Sequence, residues 1–192
     1  MSSSSSDLAS DQSTQKVDKA GRRTRLHAFQ MELVERMRVA RSGLDTRVNQ
    51  LGVMAGDRRY LLNLHDTGEI VTLNPLTEVP LTQDWFLGLM NVRGNLISVV
   101  DLARFHGLAP TKTDSASRIV CLSPSLMPNG GLLVSRVIGL RNVGEMEVQA
   151  ETAEEGEPLW FGRRYVDGDA QQWTELKLST IIQDPNFLHV GI

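Results

Sequence analysis

The side chains best suited to metal binding or nucleophilic chemistry are four histidines and one cysteine. His27, His65, His106 and His189 are scattered, and no two have the i, i+3 or i+4 spacing that places two ligands on one helix face. Cys121 stands in an apolar run without a second cysteine nearby, which is typical of a buried structural thiol. Catalytic and nucleotide-binding motifs such as G-x-S-x-G and G-x-G-x-x-G are absent from the sequence. We therefore expect no metal, no cofactor and no catalytic centre.

A second group of polar residues is better suited to binding a protein. Asn91 and Arg93 interrupt an apolar strand pair at positions of equal parity, which predicts that both lie on one face of a strand. Gly94 permits the positive φ of a two-residue turn. A guanidinium beside an amide offers fork-shaped donors to a carboxylate on a partner. Arg93 could equally pair within its own domain, with Glu69 or Asp101, and the sequence leaves both interpretations open.

Composition narrows the class of partner. The chain has 192 residues, 20 Lys and Arg against 23 Asp and Glu, and 5% aromatic residues. A nucleic-acid surface needs excess positive charge and stacking rings, so we expect no nucleic-acid partner. No apolar run approaches the roughly 20 residues of a membrane span, and residues 1–25 lack the apolar centre of a signal peptide. Together with the single cysteine, these features predict a soluble cytoplasmic protein without direct membrane insertion.

Two N-terminal segments differ from the remainder of the chain. Residues 1–25 contain too few apolar side chains to offset a backbone ordering entropy of about 1–2 kcal/mol per residue, and they predict a disordered tail. Residues 26–46 predict an amphipathic helix, because Leu26, Phe29 and Leu33 begin a stripe with steps of three and four. This stripe would pack either on the following domain or on a partner helix, and both alternatives stay open.

From residue 47 the pattern becomes one of short β-strands. The predicted elements are two strands within 51–64, a strand at 69–73, one helical turn at 84–87, a hairpin of 89–93 and 96–100 turning at Gly94-Asn95, a short helix capped by Asp101, and strands at 119–122 and 132–134. Many short strands with only brief helices favour small barrels over a parallel βαβ sheet. A turn–strand–helix unit occurs twice, from residue 92 and again from residue 166, which indicates two modules.

The stretch from Asp84 to Leu102 resembles the signature of CheW-like domains. It contains an aromatic turn, a Gly, an apolar strand, Asn-Val-Arg-Gly, and an apolar strand ending in Val-Asp-Leu. Glu69-Ile70 and the apolar run 131–134 are similar to further family features, so the resemblance covers residues 47–192. It implies a mainly β fold of two SH3-like five-stranded β-barrel subdomains with short helices, with an apolar groove between the barrels.

The resemblance also implies a non-catalytic coupling function. Members of the family join the cytoplasmic tip of a methyl-accepting chemoreceptor to a CheA-type histidine kinase. Seven positions match partner-binding residues of the family: Asn91, Arg93 and Gly94 facing the receptor, Val99 and Val134 in the groove wall, and Glu69 and Ile70 on the kinase-facing or neighbouring surface.

The two ends of the chain are similar to one branch of this family. The N-terminal helix and the closing segment Asp184–Leu188 resemble PilI-like adaptors, which act in type IV pilus twitching motility. Two other classes stay open on the residues alone. One is a stand-alone β-barrel module that binds a small ligand or peptide, and the other is an enzyme whose catalytic residues are dispersed in the sequence.

Overall fold

The computed structural model describes residues 49–149 and 156–192, which fold into two β-sheets with short helices. In chain order the strands are β1 (Asn49–Ala55), β2 (Arg58–Asn63), β3 (Thr67–Thr72), β4 (Leu76–Thr77), β5 (Phe86–Val92), β6 (Asn95–Asp101), β7 (Arg118–Leu122), β8 (Gly130–Val134), β9 (Arg136–Asn142), β10 (Glu147–Val148), β11 (Phe161–Val166) and β12 (Gln172–Leu176). The helices are α1 (Leu102–Phe105), α2 (Leu178–Ile181) and α3 (Pro185–Leu188), with a 3-10 turn at Val143–Glu145. The predicted tail at 1–25 and helix at 26–46 lie outside the described residues, so these boundaries stay predictions.

Each sheet combines strands that are distant in the sequence. Sheet A has the order β10-β11-β12-β2-β1-β9, and sheet B has the order β3-β7-β8-β6-β5-β4. Five strands of each sheet are of ordinary length and the sixth has two residues. The described chain passes from β1 and β2 of sheet A through all of sheet B and returns to sheet A, where β12 pairs in parallel with β2. Within sheet B, β6 and β8 form a second parallel pair. The predicted mainly β fold of two subdomains is confirmed.

The strands between the two subdomains bury both of their faces. In β7, Ile119 and Cys121 lie in a core enclosed by sheet B, whereas Val120 and Leu122 lie in a larger core that also takes side chains from β1, β2 and α2. We call these the sheet B core and the shared core. Side chains alternate between the faces of a strand, so burial of both faces produces the continuous apolar run seen in the sequence. The buried Cys121 agrees with the expected structural thiol.

The free edges of both sheets are short or interrupted. The strands β4 and β10 have two residues each. Edge strand β3 has one extra residue between Thr67 and Ile70 relative to β7, and edge strand β9 has one between Val137 and Gly139 relative to β1. Such bulges twist an edge and break its row of unpaired backbone groups.

One local prediction before β5 is wrong. Residues 84–87 do not form a helical turn, because Phe86 already belongs to β5 and pairs with Val100. Gly88 is not a helix stop. It has φ of 112°, and a Cβ at this position would lie 2.2 Å from the carbonyl oxygen of Thr77. The glycine therefore lets β5 lie close to the backbone at the end of β4.

Asp101 ends β6 and caps α1, as its position in the sequence predicts. The residue is buried, and its Oδ1 accepts hydrogen bonds from the Ala103 and Arg104 N–H groups at 3.0 and 3.3 Å. The hydroxyl of Thr111 donates to Oδ1 at 2.6 Å, and the Thr111 N–H donates to Oδ2 at 2.7 Å. The carboxylate is thereby fully engaged inside the domain and is not available to a partner.

A hydrogen bond between Tyr60 and His106 links the two subdomains. The Tyr60 Oη lies 2.6 Å from His106 Nδ1. Burial raises the pKa of Tyr60 to about 12, so the phenol keeps its proton and donates it to this nitrogen. Burial, and to a smaller extent the charge of Arg58, lowers the pKa of His106. We therefore assign a neutral ring whose own proton is on Nε2.

The C-terminal segment packs back onto the sheet B subdomain. The Phe187 ring of α3 stacks on Trp85, with centroids 6.0 Å apart and planes 9° from parallel. The N–H of Gln83 donates to the Val190 carbonyl at 2.7 Å, and Thr82 forms an antiparallel bridge with Gly191. These contacts hold α3 beside the start of β5.

We predict that Asp101→Ala lowers the free energy of unfolding by about 3 kcal/mol, because α1 loses its cap and the Thr111 donors stay buried without an acceptor. Urea denaturation followed by far-UV circular dichroism measures the change. Asp84→Ala is the matched control, since it removes an exposed pair with Arg104 that contributes about 0–1 kcal/mol. Equal losses in both variants would contradict the role of the buried carboxylate.

The lowered pKa of His106 predicts that stability declines in acid. An unfolded histidine binds its proton near pH 6.5, whereas the folded ring stays neutral to lower pH. Stability should therefore be full above pH 6.5 and fall as the pH decreases toward the folded-state pKa. Thermal unfolding measured between about pH 5 and 8, a range that brackets the usual pKa of histidine, tests this expectation. His106→Gln should flatten the profile, and a wild-type slope in that variant would refute the assignment. His189→Gln, at an exposed position, should keep the wild-type slope.

Candidate partner-binding site

The tip of the β5–β6 hairpin is a two-residue turn formed by Arg93 and Gly94. Val92 pairs with Asn95, which places the turn one residue earlier than the predicted Gly94-Asn95. Arg93 and Gly94 have φ of 50° and 92°, as in a type I′ turn. Asn91 Oδ1 accepts a hydrogen bond from the Gly94 N–H at 2.9 Å and closes the turn. Asn91 and Arg93 therefore do not share a strand face, and Asn91 positions the arginine.

The conformation of Arg93 points to a role for its side chain. Residues other than glycine rarely adopt positive φ, and asparagine or aspartate are the usual exceptions. An arginine in this position is strained, and its side chain is not needed for packing because it is 81% exposed. Backbone strain of this kind concentrates at functional sites.

The Arg93 guanidinium forms an ion pair with Glu69 on β3. Nη1 lies 3.2 Å from Glu69 Oε2, and the Glu69 side chain is 39% exposed. The sequence suggested Glu69 or Asp101 as the intramolecular partner, and Glu69 is the one observed. Asp101, the last residue of β6, is buried and bonded within the domain. An exposed pair contributes only about 0–1 kcal/mol, so another carboxylate can replace Glu69 at little cost.

Two apolar side chains accompany this ion pair. Ile70, next to Glu69, is 42% exposed, and Leu96, next to the turn, is 59% exposed. Leu96 pairs with Asn91 across the hairpin and was not among the residues predicted from the sequence. The sequence feature that could have identified Leu96 as a surface residue is its position as an apolar residue directly after a turn. We call Glu69, Ile70, Asn91, Arg93 and Leu96 the hairpin surface.

Val99 and Val134 do not line a surface groove, which corrects the expectation from the family resemblance. Both side chains are completely buried, Val99 in the sheet B core and Val134 in the shared core. Both belong to strands whose two faces are covered, so neither residue reaches a partner. Their contribution is to support β6 and β8.

An open cleft of about 700 Å³ lies at the opposite end of β5 from the hairpin turn. Both subdomains contribute to it, and its walls include Trp85, Phe105, His106 and Trp160. We call it the aromatic cleft. Trp85 and Arg93 flank the seven-residue β5, which separates them by roughly 25 Å at 3.3 Å per residue. The hairpin surface and the aromatic cleft are therefore separate surfaces.

Two observations on the described ranges 49–149 and 156–192 concern metal binding and thiol reactivity. No three His, Cys, Asp or Glu side chains within them could hold a metal ion. Burial, and secondarily the charge of Glu69, raises the pKa of Cys121, which disfavours the thiolate that a nucleophile requires. A search of the same residues for a helix long and apolar enough to cross a membrane also found none.

Known proteins show matching sequences over most of the described region. The profile of the CheW-like domain matches residues 50–185. Protein PilI of Pseudomonas aeruginosa is 27% identical over 147 residues, which are 74% of this chain and 79% of that protein. Chemotaxis protein CheW of Helicobacter pylori is 30% identical over 92 residues, which are 45% of this chain and 56% of that protein. Chemotaxis protein CheV3 of the same species is 27% identical over 90 residues, and the match spans only 29% of its length.

The fold also matches a solved structure. The crystal structure of scaffolding protein TtCheW from Thermoanaerobacter tengcongensis superposes with a TM-score of 0.60, at 20% identity, over 72% of this chain and 94% of that one. This likeness agrees with two SH3-like β subdomains. With the matching profile, it leads to one conclusion: the chain belongs to the family of CheW-like domain proteins, the scaffolds and adaptors of chemotaxis signalling.

Proposed function

We propose that this protein is a non-catalytic cytoplasmic scaffold that couples a chemoreceptor signalling tip to a CheA-type histidine kinase, in the control of type IV pilus twitching motility. Membership of the CheW-like family supports the coupling function. The pilus assignment is supported by the match to PilI, which extends over 79% of that protein.

The observation that carries the proposal is the exposed, strained Arg93 at the hairpin turn. A receptor tip that presents a carboxylate exchanges it for Glu69 and gains a fork-shaped hydrogen bond. Ile70 and Leu96 lose contact with water in the same step, and full burial of such a side chain contributes about 1.5–3 kcal/mol. Asn91 keeps the turn in place during the exchange.

The kinase contact in this proposal lies beside the receptor contact. Glu69 and Ile70 are adjacent on β3, and Glu69 is already held against Arg93. A partner that takes Arg93 therefore releases Glu69 for a basic group on the second protein. Each contact alone is small, and firm assembly would come from many linked contacts in an array.

We predict that Arg93→Glu weakens binding of the isolated receptor signalling tip at least tenfold, because a charged hydrogen bond of about 1.5–3 kcal/mol becomes a repulsion. Isothermal titration calorimetry measures the dissociation constants for receptor tip and kinase. Lys112→Glu makes the same charge change at an exposed site away from the hairpin and should bind normally. Unchanged binding of Arg93→Glu to both partners would exclude the hairpin surface as the contact.

A second prediction concerns the pilus branch. A strain without this protein should lose twitching motility on agar, and the wild-type gene should restore it. Arg93→Glu should fail to restore motility although it accumulates to the same level, whereas Lys112→Glu should succeed. Normal twitching in the deletion strain would contradict the pilus role. The scaffold proposal would then be decided by the calorimetric binding data alone.

A further inference from the structure

The aromatic cleft has a firmly packed frame. Trp85 and Phe105 meet edge to face with centroids 5.3 Å apart, and Phe105 lies 5.9 Å from Trp160. His106 packs against Trp160 at 5.2 Å. The rings come from segments that are distant in the sequence, so each is held by contacts with the others. A cleft of this kind is formed before any ligand arrives.

Two tryptophans in this frame have indole N–H groups for which the described residues supply no acceptor. Trp85 and Trp160 are 8% and 3% exposed, yet no residue in the described part of the chain accepts from either Nε1. Across that part, the enclosed side-chain polar atoms without a partner are Gln50 Oε1 and Arg141 Nε. Trp85 and Trp160 both line the cleft, which is the open space next to their rings.

Trp173 shows the contrasting arrangement in the same molecule. Its Nε1 donates to Asp167 Oδ2 at 2.8 Å, within the core of sheet A. A buried tryptophan normally finds such a partner. Within the described residues, Trp85 and Trp160 thus differ from Trp173 in having no such acceptor.

His106 supplies a third donor. Its Nδ1 accepts from the Tyr60 phenol, which leaves the ring proton on Nε2. No residue within 49–149 or 156–192 accepts from Nε2. The rings that line the cleft thus offer three N–H donors, and a ligand must supply acceptors together with flat apolar surface.

We infer that the aromatic cleft is a second binding site and that its ligand is an extended, proline-rich segment of a partner protein. Proline has a carbonyl acceptor, no N–H donor and a flat apolar ring, so its groups complement those of the cleft. In the polyproline II conformation the carbonyls are free of internal hydrogen bonds and need external donors. Aromatic-lined grooves bind such segments in general.

Charge at the rim indicates what flanks the prolines. Asp184 lines the cleft, and its Oδ1 accepts from the Asn186 N–H at 2.8 Å while Oδ2 keeps no partner among the described residues. A basic residue beside the proline run would pair with this carboxylate. The site is independent of the proposed receptor contact, because β5 separates the two surfaces.

The test uses the full-length protein labelled with ¹⁵N and a synthetic peptide of ten prolines followed by arginine. The chain has three tryptophans, so the indole region of the spectrum should contain three signals. We expect the Trp85 and Trp160 signals to shift on titration and the Trp173 signal to stay in place. A Gly-Ser peptide of equal length, also ending in arginine, is the control and should shift none of them.

Variants then separate this site from the hairpin surface. Trp160→Phe keeps a ring but removes one donor, and the dissociation constant should rise roughly threefold to tenfold. Arg93→Glu should bind the peptide as the wild type does. Because the wild-type titration needs no substitution, a poorly folded variant does not obscure the result. Absence of shifts at millimolar peptide, equal shifts of all three indoles, or equal shifts with the Gly-Ser peptide would each overturn the inference.

Discussion

Double burial of the strands β6, β7 and β8 is the constraint on which the rest of the structure depends. Each strand sends alternate side chains into the sheet B core and the shared core, so the two cores are packed on opposite faces of the same strands. A shift of one residue in any of these strands would exchange the contents of both cores. This fixed register also determines where the hairpin turn falls and therefore where Arg93 is displayed.

The two candidate surfaces differ in how their polar groups are prepared. At the hairpin surface the charged groups are exposed and already paired, so the proposed binding would exchange one ion pair for another. In the aromatic cleft two of the three donors belong to almost completely buried tryptophan rings, and no described residue accepts from any of the three. The first arrangement favours rapid, reversible contact, whereas the second favours selection of a ligand by shape and by acceptor pattern.

Features encoded within a few residues could be predicted from the sequence. The hairpin, the Asp101 cap and the interior position of Cys121 all follow from local pattern, and the structure agrees with them. The turn was placed one residue late because glycine marks a turn without fixing its register. Val99 and Val134 were assigned to a groove wall from the family resemblance, and the apolar runs around them do not reveal that both faces of their strands are covered. The Arg93–Glu69 pair and the aromatic cleft join segments far apart in the chain, which no local pattern can specify.

The interrupted edge strands have a consequence for assembly. A sheet with a long, regular border can act as a template on which further chains add by backbone pairing, and that growth has no natural end. Here the extra residues in β3 and β9 and the two-residue strands β4 and β10 remove the template. We therefore expect copies of the described region to contact one another through side chains and not by pairing of sheet edges.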